Sequence, residues 1–184
     1  MKKKPFRLGL LVGRFQVLHS GHEDMINKAV AVCDRVGVFV GSSEEHGNFS
    51  NPFTYEKRAE LLKTVFGDKI EVYPLPDIFV GNNSKWGDYV LQNVYDRFGE
   101  YPDLFVSGRE SRRVDWFDSE LGMNVAELCI PKTVDISAHE MRDFLVDGRY
   151  DEWKKYTSPL LWDRYEELRS VVLAVKDNRE SRNV

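Results

Sequence analysis

Two histidines three residues apart, His19 and His22, stand in the stretch Gly13-Arg14-Phe15-Gln16-Val17-Leu18-His19-Ser20-Gly21-His22. At that spacing two side chains share one face of a helix. An imidazole changes charge near neutral pH, and Arg14 adds a permanent cation. The free N–H groups and dipole of a helix start favour anions in the same place. Together these groups could stabilise charge on a reacting phosphate. The simpler alternative is that the histidines only cap and solvate a helix start.

Further along, Ser137-Ala138-His139-Glu140 has capping-box spacing, Ser at the N-cap and Glu at N3, and Arg142 follows. The other candidate cations, His46, Lys57, Arg58, Arg109, Arg112 and Arg113, also fall in loops or near helix starts. The chain of 184 residues has a net charge of −4. A broad basic surface for nucleic acid is therefore not expected. Cations gathered at one rim of an acidic chain fit a polyphosphate instead. Phosphoryl and nucleotidyl transfer need positioning and cancellation of charge on the oxygens, usually with Mg²⁺.

The elements that must position these groups alternate. Phe6–Val12 reads as a buried strand and Gly21–Asp34 as a helix with Met25, Ile26, Ala29, Val30 and Cys33 at helical spacing. Val36–Val40 is a second strand, followed by a polar loop from Gly41 to Asn51. Thr54 is the expected N-cap of a helix carrying Ala59, Leu62, Val65 and Phe66. A third strand, Ile70–Tyr73, is expected to end at the Pro74 and Pro76 punctuation. Asn82-Asn83-Ser84 starts a helix with Trp86, Tyr89, Val90, Val94 and Phe98 on its apolar side. Leu104–Val106 and Val125–Ile130 are strands four and five, separated by an Arg-rich loop and a short helix near Val114–Leu121. After the helix at Ser137, ended by Gly148, Ser158-Pro159 opens a last helix bearing Leu161, Tyr165, Leu168, Val172 and Val175. Strand–helix alternation predicts a parallel sheet with right-handed crossovers, and such sheets bind ligands beyond the carboxyl ends of their strands.

Other chemistries lack their motifs. There is no G-x-x-x-x-G-K-[ST], no G-x-G-x-x-G after strand one, no H-E-x-x-H and no G-x-S-x-G. Cys33 and Cys129 lack metal-site spacing and read as buried thiols in a reducing compartment. No apolar run approaches a membrane span, and Lys2-Lys3-Lys4-Pro5 reads as a solvated tail. A cytoplasmic protein is expected.

At this point the residues resemble a known family. Gly13-Arg14-Phe15-Gln16 with His19-Ser20-Gly21-His22 resembles the signature of the H-x-G-H nucleotidyltransferase superfamily. Ile136-Ser137-Ala138-His139-Glu140-Met141-Arg142 resembles its second signature. Gly41-Ser42-Ser43 and Asn51-Pro52-Phe53-Thr54, with Arg58 beyond, resemble the nicotinamide-nucleotide adenylyltransferases, particularly the archaeal type. The resemblance runs from about residue 6 to residue 155. It implies an α/β fold: a Rossmann-like, doubly wound, parallel five-stranded sheet of order 3-2-1-4-5 with a C-terminal helical segment. A single domain over 1–184 is expected, with an α/β core at 6–148 and C-terminal helices at 149–176.

The resemblance also implies roles. AMP would pass from ATP to nicotinamide mononucleotide, giving NAD and pyrophosphate, with Mg²⁺ carried on the ATP phosphates. His19, His22 and Arg142 would be catalytic. Gly13, Arg14, Phe15, Gly21, Ser137 and His139 would join them in holding ATP. Trp86 would face the nicotinamide ring, and Arg109 and Arg112 (or Arg113) would meet the acceptor phosphate. The partners implied are ATP and the mononucleotide, with neither nucleic acid nor membrane; homo-oligomerisation is left open. The chain departs from the family at three places. His139 replaces the usual Thr, Val17-Leu18 replace Pro-Phe, and Ser50 stands where archaeal relatives often carry a basic residue. Two rival readings remain: transfer to another phosphorylated acceptor, and a non-catalytic nucleotide sensor. A class I aminoacyl-tRNA synthetase core is set aside because the chain is short and acidic and has no Lys-Met-Ser-Lys-Ser-like loop.

Overall fold

The computed structural model describes residues 3–108 and 116–180, the last four of these in backbone only. Five parallel strands form one sheet: β1 (Phe6–Gly13), β2 (Cys33–Gly41), β3 (Glu71–Leu75), β4 (Leu104–Ser107) and β5 (Ala126–Cys129). Their order is β3-β2-β1-β4-β5, as expected. Successive side chains of a strand point to opposite faces, and here both faces are apolar. Leu8, Leu10, Phe39 and Phe105 point to one side, while Leu11, Val36, Val38, Val40 and Val106 point to the other. Two buried faces need helices on both sides.

Helix α3 (Asn83–Phe98) covers the first face with Val90 and Val94. The second face is covered by α1 (Ser20–Val32), α2 (Tyr55–Phe66), α4 (Ala138–Val146), α5 (Tyr150–Lys155) and α6 (Tyr165–Glu180). The C-terminal residues Trp153, Leu161, Leu168 and Val172 are wholly buried in that same cluster with Ile26 and Leu62. Burying each such side chain is worth about 1.5–3 kcal/mol. The C-terminal segment also holds the start of α1: Ser20 N–H donates to the Tyr156 carbonyl at 2.8 Å, and Ser158 N–H to Glu23 Oε1 at 3.1 Å.

Several boundaries differ from the sequence reading. Helix α1 stops at Val32 and β2 begins at Cys33, because Cys33 and Arg35 already pair with Phe6 and Leu8. Strand β3 runs through Pro74 to Leu75; it is the sheet edge, where a residue without N–H is tolerated. The helix expected near 114–121 lies partly outside the described residues, and 117–124 form bends and turns. The last helix is preceded by a separate 3₁₀ segment, Pro159–Arg164. Thr54, Asn82 and Ser137 do cap α2, α3 and α4, each accepting from the N–H three residues on.

Candidate active site

A cleft of about 480 Å³ opens at the carboxyl ends of β1, β2 and β4. Gly13, Arg14, Phe15, His19, Gly21, His22 and Trp86 all line it. The loop from β1 to α1 turns sharply, and Phe15 holds a left-handed backbone at φ 53°. A Cβ on Gly13 would lie 3.1 Å from the Phe15 ring, and one on Gly21 would lie 3.1 Å from His19 Cε1 and Nδ1. Glycine at both positions lets the two rings lie against the backbone.

His19 is the N-cap residue of α1, and His22 lies in its first turn. Their rings stack with centroids 3.8 Å apart, and Phe15 lies 5.0 Å from His22 on a tilted plane. Burial, aided by the charge of Lys132, lowers the His19 pKa to about 4, with Glu140 opposing. Burial and the neighbouring His19 hold His22 well below the ordinary value. Both imidazoles are therefore neutral at pH 7. The Nδ1 atoms of both are buried without a hydrogen-bond partner among the described residues.

Arg142 is buried and donates to the Gln16 carbonyl, joining α4 to the β1–α1 loop. Its guanidinium carbon lies 5.5 Å from the Phe49 ring centre. Burial and the charge of Arg14 push it below the usual arginine value, so the two cations are neighbours. Ser137 Oγ accepts from Glu140 N–H at 3.3 Å, the N-cap half of a capping box, while the Glu140 side chain turns back onto the Ser137 hydroxyl, which donates to its Oε2 at 2.6 Å. Ile136, one residue earlier, lines the cleft, whereas Ser137, His139 and Arg142 do not. The His139 side chain is 67% exposed, 3.5 Å from Asp143 Oδ2 and edge-on to Phe49. Trp86 is half-buried, 5.5 Å from Tyr89 and edge-on to Trp116 at 6.1 Å. Arg109, Arg112 and Arg113 lie outside the described residues. His46 is exposed, and Lys57 is tied to Glu60 and Glu167.

Arg58 is the largest difference from the reading of the loops. It is not at the rim but 0% exposed, with its guanidinium donating to five main-chain carbonyls and, among the described residues, to no carboxylate. Other groups in the cleft carried no motif: Asp77, Trp116, Lys132 and Thr133. Residues 131–134 lie just past the end of β5, where the strand-end rule alone would have placed them.

Among the described residues, no group of three His, Cys, Asp or Glu side chains is placed to hold a metal ion. The cleft carboxylates already have partners, Asp24 with Lys28 and Thr133, and Asp77 with Ser42. Among the described residues, no helix is long and apolar enough to cross a membrane.

A five-stranded parallel sheet with an imidazole pair at its first helix start defines a Rossmann-like nucleotidyltransferase. The chain belongs to the cytidylyltransferase-like family, whose sequence profile matches residues 10–142. Within it the chain falls among the nicotinamide-nucleotide adenylyltransferases. It is 30% identical over 153 residues to the protein of that name from Thermococcus kodakarensis, a match covering 80% of this chain and 76% of that one. The protein of the same name from Saccharolobus solfataricus is 36% identical over 88 residues, which is 45% of this chain and 50% of that one. The fold is similar to that of a bifunctional NMN adenylyltransferase/ADP-ribose pyrophosphatase from Francisella tularensis, solved with AMP and a manganese ion. There the TM-score is 0.75 at 21% identity, covering 95% of this chain and 53% of that one. This chain thus spans about half of that bifunctional protein.

Proposed function

We infer that this chain transfers AMP from ATP to nicotinamide mononucleotide, giving NAD and pyrophosphate. The observation that carries the reading is the neutral, stacked His19–His22 pair facing the cleft that also holds Trp86. The phosphate of the mononucleotide attacks the α-phosphorus of ATP in line. A new P–O bond forms as the bond to the β-phosphate breaks, and pyrophosphate leaves. A phosphate monoester has its second pKa near 6, so at pH 7 the nucleophile is already ionised and no base is needed.

The protein's task is to position two polyanions and cancel charge that moves to the leaving oxygens. Each neutral imidazole offers one N–H donor. An arriving phosphate raises the histidines' affinity for protons, because an opposite charge favours the charged form. Arg14, Arg142, Lys132 and the starts of α1 and α4 supply the fixed positive potential. Ser137 and His139 flank the second of these starts and reach the outer phosphates. Mg²⁺ arrives with ATP on its phosphates as part of the substrate. Trp86 offers a ring face for the nicotinamide, and the arginines at 109, 112 and 113 are the groups available for the acceptor phosphate. Both substrates are soluble nucleotides, which fits a cytoplasmic enzyme.

The test is pyrophosphate release by the purified chain, dependent on both ATP and nicotinamide mononucleotide. His22→Ala should keep its circular dichroism and lose about 10²–10⁴-fold in kcat. A folded His22→Ala with unchanged turnover would remove His22 from the reaction. Turnover only with flavin mononucleotide, a phosphopantetheine or CTP would replace the acceptor or donor.

A further inference from the structure

We propose that Phe49 is a positioning residue for the guanidinium pair Arg14–Arg142, and that the turn 48–51 sets this pair against the phosphates of ATP. The proposal rests on the adenylyltransferase reading and deepens it at the phosphate end of the site. His139 and Arg142, three residues apart, share one face of α4, and Phe49 lies over that face. Its ring is edge-on to His139 at 6.2 Å and 5.5 Å from the Arg142 guanidinium carbon. Phe49 is half-buried and does not line the cleft. It acts through Arg142.

One turn serves both arginines. Asn48 and Asn51 exchange backbone hydrogen bonds at 3.1 and 3.3 Å. Asn48 Oδ1 also accepts from the N–H groups of Ser50 and Asn51 at 3.1 and 2.9 Å. The buried Gln16 amide docks this segment on the β1–α1 loop, donating to the Phe53 carbonyl at 2.9 Å and accepting from its N–H at 3.0 Å. From the turn, Asn51 Oδ1 accepts from Arg14 at 3.5 Å, while the Phe49 ring meets Arg142.

Each of these partners is neutral. Two neighbouring guanidiniums repel one another, and the charge of Arg14 adds to burial in holding Arg142 below the usual arginine value. Asp143 opposes this, yet among the described residues no carboxylate forms an ion pair with either arginine. The Arg142 Nε is buried without a partner among the described residues. A ring face and amide oxygens thus fix two cations without neutralising them, which keeps their charge for an anion with several oxygens. A carboxylate in the place of the Phe49 ring would fix Arg142 equally well and cancel it.

The experiment measures the affinity for ATP with Mg²⁺ by calorimetry, and KM for each substrate, in the full native chain, Phe49→Leu, Phe49→Tyr and Asn48→Ala. Phe49→Leu keeps the apolar packing and removes the ring. It should weaken ATP binding and raise KM for ATP about fivefold, with KM for the mononucleotide unchanged. Phe49→Tyr keeps a ring and should hold both ATP values near native. Asn48→Ala loosens the turn and should act in the same direction as Phe49→Leu by less, and it tests the idea even where Phe49→Leu does not fold. Native ATP affinity in Phe49→Leu overturns the proposal. So does a loss shared equally by both substrates, or a Phe49→Tyr as weak as the leucine variant, as a purely packing role would give. A native chain that binds ATP but releases no pyrophosphate overturns the adenylyltransferase reading alone, since calorimetry still tests Phe49.

Discussion

Arg58 and Arg14 are joined by a hydrogen bond across 44 residues of chain: the buried Arg58 guanidinium donates to the Arg14 carbonyl at 3.1 Å. The same guanidinium binds the carbonyls of Gly41, Ser42, Ser43 and Thr54 at 3.0–3.3 Å. It thereby ties the loop after β1 to the loop after β2 and to the start of α2. Phe15 and Ser42, at φ 53° and 46°, hold left-handed conformations beside carbonyls that Arg58 fixes. Such conformations cost about 1 kcal/mol or more each and persist when neighbours over-determine them.

Arg58→Lys should destabilise the protein by about 3 kcal/mol, because an ammonium cannot replace the planar fork and leaves buried carbonyls unpaired. Urea unfolding measures this. The folded fraction should also lose activity, since the loops carrying Arg14 and Ser42 are released together. A stable, fully active Arg58→Lys would show that the loops hold themselves.

The depressed histidines make stability depend on pH. A histidine at 6.5 in the unfolded chain and about 4 in the fold binds its proton more readily when unfolded. Its share of stability is complete above pH 6.5 and is lost as pH falls toward 4. For His19 alone the loss is about 3 kcal/mol. His19→Gln should flatten the unfolding free energy across that window relative to the native chain. Parallel curves for the two proteins would mean that His19 titrates normally.

Gly21→Ala separates stability from catalysis. Alanine is favoured over glycine within a helix by about 0.5–1 kcal/mol. Its Cβ, however, would press on His19 at 3.1 Å and push that ring against His22. Thermal unfolding should change little, while kcat should fall about tenfold through the misplaced imidazole. An active Gly21→Ala would show that the stack tolerates displacement.

Gly87→Ala should do the reverse and act first on the fold. A Cβ at Gly87 would lie 1.6 Å from the Trp116 carbonyl oxygen, so α3 could not stay where it is. A cost of about 2–3 kcal/mol is expected, together with a raised KM for the acceptor, because Trp86 moves with the helix. Denaturation with parallel kinetics on both substrates checks this, and an unchanged acceptor KM would count against Trp86 as an acceptor contact.

The sequence was most legible where chemistry and local geometry coincide. His19 and His22 announce themselves by spacing, and Thr54, Asn82 and Ser137 by the capping rule, because all of these are interactions within one turn of chain. It was less legible at Pro74, where the edge position of β3 excuses a residue that would end an inner strand. At Cys33, pairing with β1 overrode helical spacing.

By itself, then, the sequence determined the alternation of strands and helices, the caps and the two signatures, since each depends on neighbours within a few residues. Only the tertiary structure decided what lies far along the chain. It placed Arg58 inside the molecule rather than at the rim, because five carbonyls from distant loops converge on it. It lowered the histidines, because burial depends on what packs over a ring rather than on its neighbours in sequence. It brought Asp77 and Trp86, which follow β3, into one cleft with the imidazole pair, which follows β1, since parallel strands deliver both segments to the same end of the sheet.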